Sequence, residues 1–167
     1  MRAGYLLLPC ALAALACARG APADHRPARN ETSAADSLRG TVQVVGSEPG
    51  TWVALMLGGG RRAVTLEGER PLLDRLAGLE VVVWGAPGRP GRFRVERFAV
   101  RAASGVAVED GVLAREGAGW VLVTHDGRRL AIARLPQALQ GKAGARVWLA
   151  GPLDRAPDSF GVVAEAP

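Results

Sequence analysis

Two similar segments of the sequence decide the fold: GLEVVVWG at residues 78–85 and GARVWLAG at residues 144–151. Each sets a run of apolar residues between two glycines. In the first segment, Val81 and Val83 would point to one face of a strand, while Val82 and Trp84 would point to the other. This pattern predicts a strand that is apolar on both faces, as expected between a barrel interior and a covered outer surface.

These segments belong to a longer internal repeat. Four anchors keep an offset of 66–68 positions, namely Trp52 to Trp120, Arg61 to Arg128, Gly85 to Gly151 and Phe93 to Phe160. A repeat of this length indicates a domain-sized duplication rather than a solenoid unit.

Turn and helix signals give the order of elements within each copy. Asp126-Gly127 and the glycines at 58–60 predict tight turns between neighbouring strands. A proline followed by leucines predicts a short helix at residues 71–78, and residues 135–141 occupy the same place in the second copy. Each copy is therefore predicted to run β-β-β-short helix-β-β.

That order resembles the OB-fold, a five-stranded Greek-key barrel. The entry to strand four, Leu76-x-Gly78-x-x-Val81-x-Val83-x-Gly85, is similar to bacterial envelope members of that superfamily. The resemblance covers residues 38–101 and 108–164. It implies an all-β fold of two tandem small OB-like five-stranded barrels, each with a short helix between strands three and four. Repeat 1 would span residues 38–104 and repeat 2 residues 105–167, although a two-sheet sandwich or one fused barrel fits the same pattern.

The N-terminus is typical of an export signal. Met1-Arg2-Ala3-Gly4 is a short basic start, and residues 5–16 are apolar without a charge. A bilayer-spanning helix needs roughly 20 apolar residues, which is longer than this run. A basic start, a short apolar run and small residues after it describe a secretory signal over residues 1–16.

The end of this leader, AALAC at residues 13–17, resembles the bacterial lipobox, in which a small residue precedes a cysteine that becomes diacylated and N-terminal. The resemblance implies lipid attachment at Cys17 and a membrane partner through that lipid, with Ala14 standing where the motif usually has Leu. The alternative is ordinary cleavage that releases a soluble secreted or periplasmic protein. Cys10 and Cys17 are the only cysteines, so the folded part has no thiol for a disulfide or a metal.

Residues 17–37 are predicted to be a flexible tether. From Ala18 onward they contain Ala, Pro, Ser and balanced charges without apolar periodicity. A flexible segment of this length spans roughly 25 Å on average. The predicted location is therefore the cell envelope, with the folded part held close to a membrane.

Residues of the kind that catalysis requires are scarce in the folded part. Its only histidine is His125, predicted to be a solvent-exposed side chain at a hairpin end, and no nucleophile with a base, carboxylate pair or metal-ligand spacing is present. The chain is therefore predicted not to be an enzyme, with no catalytic residues, no metal site and no cofactor.

The resemblance to OB barrels implies ligand contacts on the second and third strands and nearby loops. Carried onto this sequence, it gives six candidate residues: Trp52, Arg61, Arg62, Trp120, Arg128 and Arg129. A tryptophan could stack on a planar ring while paired arginines hold an anion. Core packing of the tryptophans and solvated arginine turns are the alternatives. Trp84 and Trp148 are assigned to packing.

Charge is unequal between the halves. Residues 38–104 carry ten Arg and six acidic residues, a difference of +4, whereas residues 105–167 carry seven basic and seven acidic residues. Arg89, Arg92, Arg94 and Arg97 follow one loop and strand of the first copy. An exported protein has little opportunity to bind nucleic acid, so an anionic membrane or acidic envelope polymer fits this stripe better. A solvated face without any partner is the alternative.

Together these features predict a non-catalytic, envelope-anchored binding or adaptor lipoprotein whose ligand is an anion or a partner protein. The alternative is a structural accessory subunit of an envelope complex.

Overall fold

A computed structural model describes residues 36–167, which belong to one compact unit. The predicted leader, Cys17 and all but the last two residues of the predicted tether lie outside the described residues. Ten strands and two short helical turns make up the described structure, so the predicted all-β class is confirmed.

The first half contains five strands and one short helix: β1 (Asp36–Val45), β2 (Trp52–Leu57), β3 (Arg62–Glu67), α1 (Arg70–Asp74), β4 (Leu79–Pro87) and β5 (Arg92–Ala103). The second half contains five more strands and a 3₁₀ turn: β6 (Val106–Glu116), β7 (Gly119–Thr124), β8 (Arg129–Ile132), the turn Gln137–Leu139, β9 (Arg146–Ala150) and β10 (Ser159–Ala164). Pro71 lies in the first turn of α1, and the helix is shorter than the segment predicted from the sequence.

The strands of the first half pair in a closed circuit, β1–β2–β3–β5–β4 and back to β1. The β3–β5 pair is parallel, with Thr65 opposite Arg92, and the other four pairs are antiparallel. The second half pairs in the order β8–β7–β6–β9–β10. Within residues 36–167, no ladder of hydrogen bonds joins β8 to β10. One backbone hydrogen bond forms nearby: the N–H of Ala133, directly after β8, donates to the carbonyl of Leu153, between β9 and β10, at 2.9 Å.

A two-residue hairpin joins the halves. β5 and β6 pair next to the turn, where Ala103 lies opposite Val106. Ser104 and Gly105 both have positive φ, +50° and +78°. A type I′ hairpin turn requires positive φ at both of its central residues. The boundary predicted between residues 104 and 105 falls inside this turn, and all ten strands are connected in one sheet.

Each half has its own apolar core. Val81 and Val83 of β4 are fully buried in the first core, and Val147 and Leu149 of β9 are fully buried in the second. Buried leucines in or directly after the short helical segments add to these cores, namely Leu73 and Leu76 in the first core and Leu139 in the second.

Side chains of the second half also pack against the first core. Trp148 of β9, Val108 of β6 and Val163 of β10 all contact it. The face of the β6–β9–β10 sheet that points away from the second core is therefore covered by the first half. The packing role predicted for Trp148 is confirmed. The second half has about 60 residues, a size at which a core is marginal by itself, and this contact supplies additional burial.

A buried ion pair of the second half lies at this junction. The Asp110 side chain on β6 is only 4% exposed, and the Arg146 side chain on β9 is 26% exposed. Arg146 donates from Nε and Nη2 to the two carboxylate oxygens of Asp110, at 3.0 and 2.7 Å. Nη2 also donates to the Phe98 carbonyl at 2.7 Å, and the Val100 N–H donates to Asp110 Oδ2 at 2.7 Å. The pair thus ties β6 and β9 to β5.

Removing one member of this pair should destabilise the protein strongly. In Arg146→Ala, Asp110 stays buried without its counter-charge, which costs about 3–5 kcal/mol of unfolding free energy. Denaturant unfolding of the variant measures this loss. Lys142→Ala is the control, because the Lys142–Glu165 pair is solvent-exposed at both ends and such pairs contribute little. Equal losses in the two variants would show that the junction pair is not a structural tie.

Candidate functional site

In the first half, the residues predicted to bind a ligand do not converge. Trp52 begins β2 and is 45% exposed, whereas Arg62 pairs with Leu57 at the other end of that strand. Five residues of extended strand span roughly 17 Å, so Trp52 lies far from Arg61 and Arg62. The Arg61 side chain donates from Nε to the Gly58 carbonyl of its own turn, at 3.1 Å.

The predicted arginines of the second half each have a carboxylate partner. Arg128 contacts Asp126 at 2.8 Å and Glu109 at 3.2 Å, and Arg129 pairs with Glu116. These neighbours neutralise both guanidinium groups.

Trp120, the remaining candidate, is half-buried against the second core, and the Arg115 guanidinium lies 5.1 Å from its ring centroid. Trp120 therefore serves mainly to pack against the second core and Arg115. The structure therefore does not bring the six predicted residues together at one site.

A different group of side chains meets where β5 approaches the β7–β8 turn. The Arg97 guanidinium lies over the Trp84 ring, 4.5 Å from its centroid, in a cation–π contact. Arg97 Nη1 is also 3.2 Å from His125 Nε2. Because a guanidinium can only donate, the imidazole presents Nε2 as the acceptor. No carboxylate among residues 36–167 lies within 4 Å of the Arg97 side chain, so two rings orient this cation and no anion neutralises it.

Arg97 lies at the edge of a cleft between α1 and β5. The cleft has a volume of about 360 Å³, within the range of about 300–1,000 Å³ typical of small-molecule sites. Its lining combines apolar and charged side chains: Leu72, Leu73, Val95, Phe98, Glu69, Glu96, Arg97 and Arg146. Arg146 uses Nε and Nη2 at the junction, while its Nη1 has no hydrogen-bond partner within the described part of the chain.

His125 lines a second, smaller pocket of about 100 Å³. The pocket is lined by His125, Asp126, Arg128, Glu109 and the buried Asp110, among others. Its volume suits ordered water or a small ion rather than an organic ligand. The Arg97–His125 contact therefore links two cavities that both border the junction between the halves.

The β7–β8 turn that carries His125 is held by its own hydrogen bonds. The Gly127 N–H donates to the Thr124 carbonyl at 2.9 Å, and Gly127 has a φ of +82°, as the Asp-Gly signal predicts. A hydrogen bond from the Thr124 hydroxyl, together with a second from Arg128, lowers the pKa of Asp126 from 3.8 to about 2. Ionised Asp126 thus fixes the turn that presents His125 to Arg97.

Sequence reasoning missed the Arg97–Trp84–His125 group. Trp84 and Arg97 are register partners on β4 and β5, but a β-bulge between Trp84 and Gly85 shifts the alternation of β5 by one residue. Asp110 carried only a weak signal, because it follows a second acidic residue, Glu109, between the apolar residues of β6.

Among residues 36–167, no helix has the length and hydropathy to cross a bilayer, and no three His, Cys, Asp or Glu side chains group to hold a metal ion. No family model, curated protein or solved structure matches this chain.

The lowered pKa of Asp126 predicts a pH-dependent contribution to stability. The contribution is present above the ordinary carboxyl pKa of 3.8 and is lost as the pH falls toward about 2. In Asp126→Asn this contribution is absent. Thermal unfolding at a series of pH values should show wild type more stable than the variant above about pH 4, with the gap closing on acidification. A gap that stays constant down to pH 2 would contradict the assignment.

Proposed function

We propose that this chain is a non-catalytic binding or adaptor lipoprotein of the bacterial cell envelope, and that it captures an anionic ligand in the cleft beside Arg97. The observation that carries the proposal is the Arg97 guanidinium, which Trp84 and His125 orient and no described carboxylate neutralises. Charge-assisted bonds to a carboxylate or phosphate are the strongest interactions such a group makes.

The side chains that line the cleft restrict the charge and polarity of the ligand. The partnerless Nη1 of Arg146 provides a second donor, while Leu72 and Val95 provide half-buried apolar surface. Glu69 and Glu96 would repel a ligand that carries negative charge over its whole length. The lining therefore favours a small molecule with an anionic group at one end and an apolar body.

The proposed architecture is two OB-like barrels from a duplicated sequence. It is supported by a common strand order, three-two-one-four-five, and by a short helical segment before the fourth strand of each half. Two glycines support it as well. A Cβ on Gly40 would overlap the Met56 carbonyl oxygen, and a Cβ on Gly111 would overlap the Val123 carbonyl oxygen, at matching places in the two halves.

Envelope anchoring is the second part of the proposal. Residues 1–16 would direct export, Cys17 would carry the lipid, and the residues between Cys17 and the start of β1 at Asp36 would form the tether. Release as a soluble secreted or periplasmic protein is the alternative.

The accessory-subunit alternative requires a sheet edge that can receive a partner strand. β8 and β10 are the strands with a free edge in the described structure. β8 is only four residues long and begins with Arg129, while a register shift between Val162 and Ala164 interrupts β10. Short, charged or bulged edges are those that resist strand addition, so the binding role is favoured.

Substitution of the proposed lipid-attachment residue tests the anchor. Cys17→Ala should abolish membrane association and leave a folded, soluble product, because diacylation requires the thiol. Fractionation of cells expressing wild type or variant gives the answer, and Cys10→Ala is the matched control that should stay with the membrane. A Cys17→Ala protein that still fractionates with membranes would refute lipid anchoring.

Ligand capture tests the cleft. The protein is incubated with envelope extract, recovered, and its bound molecules are identified by native mass spectrometry. We expect wild type to retain a small anionic compound, and Arg97→Gln to lose it by about tenfold or more, as for the loss of a charge-assisted hydrogen bond. Arg134→Gln is the control, because Arg134 is exposed and does not line the cleft. Recovery of a protein partner alone, unaffected by Arg97→Gln, would favour the accessory role.

A further inference from the structure

One end of the first half gathers unneutralised arginines at the point where the described chain begins. We name it the basic end and define it as Asp36, residues 58–62 and residues 88–92. β3 and β5 are parallel, so the β2–β3 turn and the β4–β5 loop, which precede them, lie at the same end of the strand circuit. Asp36 pairs with Gly85 close to the β4–β5 loop, so β1 also starts there.

The charge of this end is predominantly positive. Arg61, Arg62 and Arg89 are exposed, and none has a carboxylate within 4 Å among the described residues. Arg92 is neutralised by Glu67, at 3.0 Å. Asp36 is the one acidic residue of the basic end, and it makes no ion pair within the described structure.

Loop shape leaves these arginines free to reach a flat surface. Gly58, Gly59, Gly60 and Gly91 have positive φ, and a Cβ on any of them would have no atom within 4 Å. The loops therefore project into solvent with little side-chain bulk between the arginines.

Apolar surface opens at the same end. A cavity of about 320 Å³ is lined by Leu38, Val64, Pro87 and Phe93, together with Asp36 and Arg92. Exposed arginines at the same end of the strand circuit as an apolar opening match the interface of a bilayer, where anionic headgroups lie next to the acyl region.

We propose that the basic end docks on an anionic lipid bilayer. The proposal rests on the envelope location given above, because a lipid at Cys17 with a tether of roughly 25 Å would hold this end, where the tether joins, near the membrane. Surface attraction to anionic lipid adds about fivefold in affinity for each arginine. Docking would fix the orientation of the protein relative to the bilayer. Since α1 lies at the opposite end of the strand circuit, it would face away from the membrane.

Vesicle binding without the lipid anchor tests the docking surface. The probe is the chain from residue 17 onward carrying Cys17→Ala, sedimented with phosphatidylcholine vesicles that either contain or lack phosphatidylglycerol. We expect binding only to vesicles with phosphatidylglycerol, and weaker binding as salt is raised. The triple variant Arg61→Gln, Arg62→Gln, Arg89→Gln should bind those vesicles on the order of a hundredfold more weakly.

The matched control removes the same charge elsewhere. Arg101→Gln, Arg115→Gln and Arg134→Gln replace three exposed arginines that lie outside the basic end and have no described carboxylate partner. The control should retain nearly all binding, and circular dichroism should show both variants folded. Equal losses in the two triple variants, or equal binding to both vesicle types, would overturn the proposal.

Two further outcomes separate this inference from the proposed function. If the triple variant keeps vesicle binding but loses binding to polygalacturonate, the basic end binds an acidic polymer and the bilayer proposal is wrong. The protein in the vesicle assay carries neither a lipid on Cys17 nor a ligand in the cleft, so failure of the Cys17 or Arg97 experiments leaves the result of this assay unchanged.

Discussion

The buried ion pair between Asp110 and Arg146 is the constraint on which the rest of the structure depends. Burying a carboxylate and a guanidinium costs several kcal/mol of desolvation for each ion, and only full hydrogen bonding offsets that cost. Here the carboxylate receives three hydrogen bonds, and the guanidinium also reaches the Phe98 carbonyl. Because these partners lie on β5, β6 and β9, the charges are satisfied in only one arrangement of the two halves.

That arrangement creates the candidate site. The pair fixes β6 against β5 just after the hairpin, and β7 follows β6 in register to the turn that carries His125. Arg97 on β5 thereby meets His125, while Arg146 itself lines the cleft beside α1. The first half supplies the other lining residues, so the second half adds Arg146 to a cleft that the first half largely forms.

The individual strands, the hairpin and the short helix could be predicted from the sequence more reliably than the way in which they pack together. Apolar alternation, the Asp-Gly turn and the proline before Leu72 were enough to predict strands, a hairpin and a short helix, because each signal is local. The site depends on register between distant strands. The bulge beside Trp84 and the second bulge near Glu80 change which side of β5 its arginines occupy, and no local pattern reveals this. Trp52 and Arg62 were predicted to share a site because OB barrels bind ligands on their second and third strands, yet the length of β2 separates the two residues.

The closed strand circuit of the first half is complete at Ala103, before any residue of β6 is needed. A chain that emerges with its N-terminus first can therefore finish this circuit while the second half is still being delivered. The second half can then pack against the surface of the first, where Trp148 and Val163 contact the first core. The Asp110–Arg146 pair becomes buried when the two halves meet. Chain order thus allows the closed half to fold first and the second half to pack against it afterwards.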